Sequence, residues 1–137
     1  MVHALEEVWR VVEADGWLLD IRPIASNPPL DIIFKENIKF AGEIDDNAWV
    51  LDDELVNDAL EIVFARGDYV KERVARFKLS SYWDTLEGMT SYAEENWEDL
   101  KIPESTLENA TKFIEQGEGE PKIRLTYTML IGHYNKA

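Results

Sequence analysis

The sequence predicts an α+β fold with a mixed, largely antiparallel sheet and about four helices. Several segments carry apolar residues at spacings of three and four, which is typical of helices with one buried face. The segment from Lys122 to Tyr134 alternates apolar and polar residues, which indicates a strand. The apolar run from Trp17 to Ile21 lies between a glycine and a proline and indicates an earlier strand. Helices packed on a sheet layer bury all of these apolar faces.

The first helix is predicted to begin near His3. We expect Gly16 to end it in the left-handed conformation. The strand that follows is mostly apolar and is therefore expected to be covered on both faces. Pro23 ends that strand because proline offers no N–H to the ladder. The apolar stripe of the helix consists of Ala4, Leu5, Val8, Trp9 and Val12.

A hairpin and a second helix are predicted next. Two short apolar runs flank Asn37, which we expect to be the left-handed turn residue. Asp52 or Asp53 is expected to cap a helix that runs to about Arg66, and Gly67 is expected to close it.

The remaining elements are a long strand, two helices and the final strand. Tyr69 to Tyr82 is predicted to be extended, with a basic cluster that is typical of an exposed sheet edge. Asp84 or Thr85 is expected to start a third helix, and Pro103 the first turn of a fourth. The basic cluster consists of Lys71, Arg73, Arg76 and Lys78.

Residues 3–23 resemble the segment of class I S-adenosylmethionine-dependent methyltransferases in which a helix leads into the fifth strand of the sheet. His3-Ala-Leu and Trp9-Arg-Val match the helix, and Gly16-Trp-Leu-Leu-Asp-Ile-Arg-Pro23 matches the strand and its exit. Ala14-Asp15-Gly16 replaces the usual Pro-Gly-Gly turn. Tyr82-Trp83-Asp84 and the strand ending in Tyr134 also resemble that family. The resemblance implies the C-terminal half of a Rossmann-like methyltransferase.

The resemblance also implies that the cofactor-binding half is missing. In that family a glycine-rich turn after the first strand holds the cofactor, and Met1 stands just before the matching helix. No G-x-G-x-G occurs in the sequence, and Gly117 and Gly119 follow a helix and precede a strand, which is the wrong order. We therefore expect no cofactor, no catalytic residues and no enzymatic activity from this chain alone.

Length, composition and charge indicate the number of domains, the expected location and the classes of partner that are excluded. The length and the 45% hydrophobic content predict a single domain spanning residues 1–137. A net charge of −14 repels phosphate backbones and anionic lipid, so neither nucleic acid nor a membrane is an expected partner. The sequence contains no cysteine, and the cytoplasm is the expected location.

No metal site is predicted, although acidic residues cluster in two places. The first group fits a solvated helix face, and helix capping explains part of the second. His3 and His133 are the only imidazoles, and we expect His133 to meet the first strand in space. The two groups are Glu94, Glu95, Glu98 and Asp99, and Asp45, Asp46, Asp52 and Asp53.

Three functions from different classes fit the sequence. The preferred one is a non-catalytic, methyltransferase-like binding module that acts as an oligomer. In the resembled fold a parallel strand flanks Trp17–Arg22, so its absence predicts a homodimer, with Trp9 and Trp17 at the interface. The second is a subunit that completes a methyltransferase with a separate cofactor-binding chain. The third is a small-molecule binder in which Arg22 fixes an anionic group beside an aromatic pocket of Tyr82, Trp83, Tyr127 and Tyr134.

Overall fold

The computed structural model describes residues 1–46, 48–97 and 100–137. The predicted α+β class is confirmed over these residues. The helices are α1 (Val2–Val11), α2 (Ala48–Ala65), α3 (Leu86–Asn96) and α4 (Glu104–Gln116). The strands are β1 (Trp17–Pro23), β2 (Pro29–Phe34), β3 (Asn37–Glu43), β4 (Tyr69–Trp83) and β5 (Lys122–Lys136). The strands pair in the order β1–β5–β2–β3, with β4 also paired to β5, and the β1–β5, β2–β3 and β2–β5 pairs are antiparallel.

The chain divides into two compact units. The first unit consists of Met1–Ile24, Trp49–Phe77 and Met129–Ala137. The second unit consists of Ala25–Ala48 and Lys78–Thr128. The expectation of one domain over residues 1–137 stays a prediction.

The core of the first unit lies between its two helices and one face of its strands. Phe64 of α2 meets the ring of Tyr134 of β5 edge-on, with 5.0 Å between ring centroids. The hydroxyl of Tyr69 donates a hydrogen bond to the backbone oxygen of Leu5 at 3.0 Å, which ties β4 to α1. The buried members are Leu60, Val63, Tyr69 and Tyr134, and Val2, Leu5, Leu18, Val56 and Phe64 pack against them.

One face of β1 is covered and the other is open, so the expectation of a strand covered on both faces is wrong. Leu18 packs against the core of the first unit. Trp17, Leu19 and Ile21, whose side chains point to the opposite face, are 55%, 42% and 54% exposed. An apolar run predicts that its side chains are buried, but it does not indicate whether residues of the same chain bury them.

The second unit packs α3 and α4 against β2, β3 and the first half of β5. Asn109 and Thr106 of α4 donate side-chain hydrogen bonds to the backbone oxygens of Ala41 and Glu43 of β3, at 2.9 and 3.0 Å. These bonds fix the helix on the hairpin. The buried core residues are Leu30, Ile32, Phe34, Ala41, Ile44, Met89, Ala110, Ile123 and Leu125.

Two predicted helix boundaries are confirmed and a third is wrong. Gly67 lies two residues beyond the end of α2 at Ala65 and has a φ of 79°, as a left-handed helix end requires. The Thr85 hydroxyl accepts a hydrogen bond from the Gly88 N–H at 3.0 Å and caps α3. Because α2 begins at Ala48, Asp52 and Asp53 lie inside it and do not cap it.

Two predicted left-handed residues are also wrong. The positive φ of the hairpin turn belongs to Lys35, at 51°, and Asn37 already begins β3. Gly16 is not among the residues with positive φ, because α1 ends at Val11 and Val12 is already extended. A Cβ at position 16 would collide with the Val12 side chain, so lack of space explains this glycine.

Candidate functional site

The open face of the first unit carries an apolar groove of about 390 Å³. Strands β1, β4 and β5 supply its walls, which are mainly hydrocarbon and aromatic surface. Arg73 is the only permanently charged residue among them. The lining residues are Trp17, Leu19, Arg73, Ala75, Ile131 and His133.

His133 lies at the centre of this face. It pairs with Leu19 across the β1–β5 ladder, so the expectation that His133 meets the first strand is confirmed. Its ring contacts Trp17 edge-on, with 5.5 Å between ring centroids and an interplanar angle of 84°. The Nε2 atom is buried and has no hydrogen-bond partner among the described residues. Trp17 and His133 therefore form one edge-to-face pair at the groove.

The backbone of β1 has an open edge. Gly16 accepts a hydrogen bond from the N–H of Lys136 at 2.9 Å, which makes residues 16 and 136 a hydrogen-bonded pair. In an antiparallel ladder such pairs alternate with non-bonded ones, so the N–H and C=O groups of Trp17, Leu19 and Ile21 point away from β5. Within the described part of the chain, β1 pairs with β5 alone. The residues with outward backbone groups are thus the same three whose side chains are exposed.

The predicted interface residue Trp9 is held in place on α1. Its indole N–H donates to the backbone oxygen of Asp68 at 2.9 Å. The ammonium group of Lys136 lies 4.3 Å from the centre of its ring, a cation–π geometry. Trp9 is still 37% exposed, compared with 55% for Trp17. The interface role of both residues stays a prediction.

Arg22 is surrounded by acceptors from the first unit. Its guanidinium donates to Asp20 Oδ2 at 3.0 Å, to Asn57 Oδ1 at 2.7 Å and to Asp53. Only 14% of its side chain is exposed. Burial, followed by the nearby charge of Asp20, raises the pKa of Tyr134 in the same unit. The role of Arg22 in fixing an anionic group stays a prediction, and two carboxylates already neutralise its charge here.

Two of the predicted pocket residues meet in the second unit through a residue that was not predicted. Trp97 lies edge-on to both Trp83 and Tyr127, at centroid distances of 6.3 and 6.1 Å. Tyr92 completes the cluster at 5.2 Å from Trp97. Tyr82, the neighbour of Trp83 along β4, is 57% exposed. The remaining predicted residues, Arg22 and Tyr134, belong to the first unit.

Asp46 is a buried carboxylate that the sequence did not single out. It is 5% exposed, and its Oδ1 has no hydrogen-bond partner among the residues described. Burial first, and the charge of Asp45 second, raise its pKa to about 6. Burial and the charge of Asp46 raise the pKa of Tyr127. The sequence analysis placed Asp46 only in an acidic group, because the clustering of acidic residues does not indicate which of them is buried.

Over its described residues the structure shows neither a metal-ligand cluster nor a membrane-spanning helix. Within residues 1–46, 48–97 and 100–137, no group of three or more His, Cys, Asp or Glu side chains is placed to hold a metal ion. Glu98 and Asp99 of the predicted acidic group lie outside the described residues. Among the described helices, none has the length and apolar character needed to cross a membrane.

Comparison with known proteins gives no family. No protein-family model matches this chain, and no curated protein matches its sequence.

Proposed function

We propose that this chain is a non-catalytic, methyltransferase-like binding module that works as a two-fold homodimer joined along β1. The observation that carries the proposal is the edge of β1, where the same three residues expose both backbone and side chains. Unpaired N–H and C=O groups beside apolar side chains are a template for an added strand. A cytoplasmic location belongs to the same proposal, because no disulfide holds the fold.

The edge is self-complementary in one antiparallel register. A two-fold axis through Leu19 sets Leu19 against its own copy and Trp17 against Ile21 of the partner subunit. Every side-chain pair on the exposed face is then apolar, and such pairs are favourable across strands. If the two-fold axis passed through Asp20 instead, the Asp20 side chains of the two copies would face each other, and their like charges would repel. Apolar pairing and charge therefore favour the register centred on Leu19.

The same edge suits a second candidate function. In the resembled methyltransferase fold a parallel strand flanks the strand that matches Trp17–Arg22, and a separate cofactor-binding chain would supply such a strand. The two functions differ in the partner and share the surface. The oligomeric state of the purified chain distinguishes the two functions, because only the first predicts a dimer without another protein.

Replacing Ile21 with lysine tests the dimer. Purified wild-type chain is expected to sediment as a dimer at about 50 μM and to dissociate on dilution. Ile21→Lys is expected to be monomeric at the same concentration, because a charged side chain on an edge strand opposes pairing. Analytical ultracentrifugation measures both, and circular dichroism checks that the variant is folded.

Ile38→Lys is the matched control. Ile38 lies on β3 and is 52% exposed, against 54% for Ile21. We expect it to leave the mass unchanged. A wild-type chain that stays monomeric at every concentration would contradict the homodimer. If Ile38→Lys dissociates the dimer and Ile21→Lys does not, the dimer interface lies on β3 and not on β1.

A further inference from the structure

We propose that the groove on the open face of the first unit binds a small monocarboxylate with a flat apolar body. The residues that line it are Trp17, Leu19, Arg73, Ala75, Ile131 and His133. This site goes beyond the proposed dimer. Pairing along β1 uses the outward backbone groups of that strand, and it leaves the face formed by the side chains of β4 and β5 open.

The walls of the groove suit a flat, apolar ligand body. Leu19 and Ile131 present aliphatic surface, and Trp17 presents an indole ring whose orientation the edge contact with His133 sets at 84°. A volume of about 390 Å³ lies within the range of roughly 300 to 1,000 Å³ typical of small-molecule sites. Aromatic rings prefer edge-to-face or offset contacts, so an aryl group fits beside an indole held in this way.

An arginine in the groove suits a carboxylate on the ligand. Arg73 makes no ion pair with any described residue, although the chain has 28 acidic residues for 14 basic ones. Of the six arginines, Arg10, Arg22, Arg66 and Arg124 each have a carboxylate partner. Arg73 and Arg76 are exposed and have none among the described residues, and only Arg73 lines the groove. A guanidinium matches a carboxylate with two parallel hydrogen bonds. The groove therefore offers one cation without an internal counter-ion.

Arg73 limits the ligand to one charge. It is the only permanently charged residue among those that line the groove. A ligand with one carboxylate is matched, and a second carboxylate would face hydrocarbon.

The test compares naphthylacetate with naphthylacetamide, which share size and shape and differ in charge. Isothermal titration calorimetry on the wild-type chain is expected to show the acid binding about tenfold more tightly than the amide. Arg73→Gln is expected to abolish that difference and to leave amide binding unchanged. Arg76→Gln is the matched control, because Arg76 is an exposed arginine of β4 outside the groove.

Three outcomes would overturn the site. These are equal affinity of acid and amide, an equal loss in Arg73→Gln and Arg76→Gln, and no heat from either compound at millimolar concentration. Titration of Ile21→Lys separates this site from the dimer, because Ile21 does not line the groove. Acid binding is expected to persist in that variant whether the wild-type chain is a dimer or a monomer.

Discussion

Asp46 shows how one side chain can make the stability of this protein depend on pH between about 4 and 6. Its carboxylate is buried, one of its oxygens has no partner among the described residues, and Asp45 lies next to it in the chain. These conditions favour the protonated form in the folded state, and the pKa rises from 3.8 to about 6. The unfolded chain keeps the lower value, so folding and proton uptake are coupled.

The sign of that coupling gives a prediction for Asp46→Asn. Because the folded pKa is the higher one, the contribution of Asp46 is fully present below about pH 4 and is lost as the pH rises through 6. The loss is about 2 to 3 kcal/mol over this window. Urea unfolding of the wild-type chain and of Asp46→Asn at pH 4, 5, 6 and 7 measures it as the difference between the two proteins.

Asp58→Asn is the control for this prediction, because Asp58 is an exposed carboxylate of α2. Its free energy of unfolding should follow that of the wild-type chain at every pH. If Asp46→Asn also follows the wild-type chain, the carboxylate of Asp46 does not titrate in this range.

At the scale of elements, the sequence predicted where helices and strands lie and was less successful with the residues that join them. Helical stripes and strand alternation are local patterns, and each of them corresponds to an element of the structure. Gly16, Asn37 and the Asp52–Asp53 pair were assigned by residue type. The conformations of these residues depend on the space around them and on where the flanking element begins, and residue type does not encode either.

Gly42 gives a prediction at the scale of the β3–α4 contact. It has a φ of 149°, and a Cβ there would collide with the Thr106 hydroxyl, which donates to the Glu43 oxygen at 3.0 Å. Gly42→Ala therefore combines backbone strain with a collision, and we expect it to destabilise the protein by about 2 to 4 kcal/mol. Thermal and urea unfolding measure the loss.

Gly119→Ala separates the two causes. Gly119 also has a positive φ, of 94°, but nothing lies within 4 Å of an added Cβ. It reports strain alone, which costs about 1 kcal/mol. If both variants lose the same free energy of unfolding, the Thr106 side chain moves away from the added Cβ without destabilising the protein.

At the scale of the whole molecule, charge opposes association. Each copy carries −14, so two copies repel each other as they approach. We expect the dissociation constant of the dimer to fall by roughly tenfold between about 50 and 500 mM NaCl, because salt screens this repulsion. Sedimentation at several salt concentrations measures the change. A dissociation constant that rises with salt would indicate an interface held by ion pairs and would contradict pairing along β1.

Whole-molecule contacts also explain why the candidate site was only partly foreseen. Trp83 and Tyr127 were predicted to share a pocket, and they meet through Trp97, which was not among the predicted pocket residues. Arg73 was read as part of a basic edge, and it lines a groove with residues from both ends of the chain. Strand pairing between distant segments creates such neighbours, and no local pattern records which segments pair.

That long-range pairing has a consequence for biosynthesis. Residues 17–23 of β1 pair with residues 129–135 of β5, about 110 residues further along the chain. At a translation rate of 5 to 20 residues per second, β1 emerges from the ribosome roughly 5 to 20 s before its partner is made. During that interval the strand has no ladder to join, although Leu60 and Val63 of its core are already made. The time for which the backbone of β1 stays unpaired is therefore set by the order of the strands, independently of how stable the finished fold is.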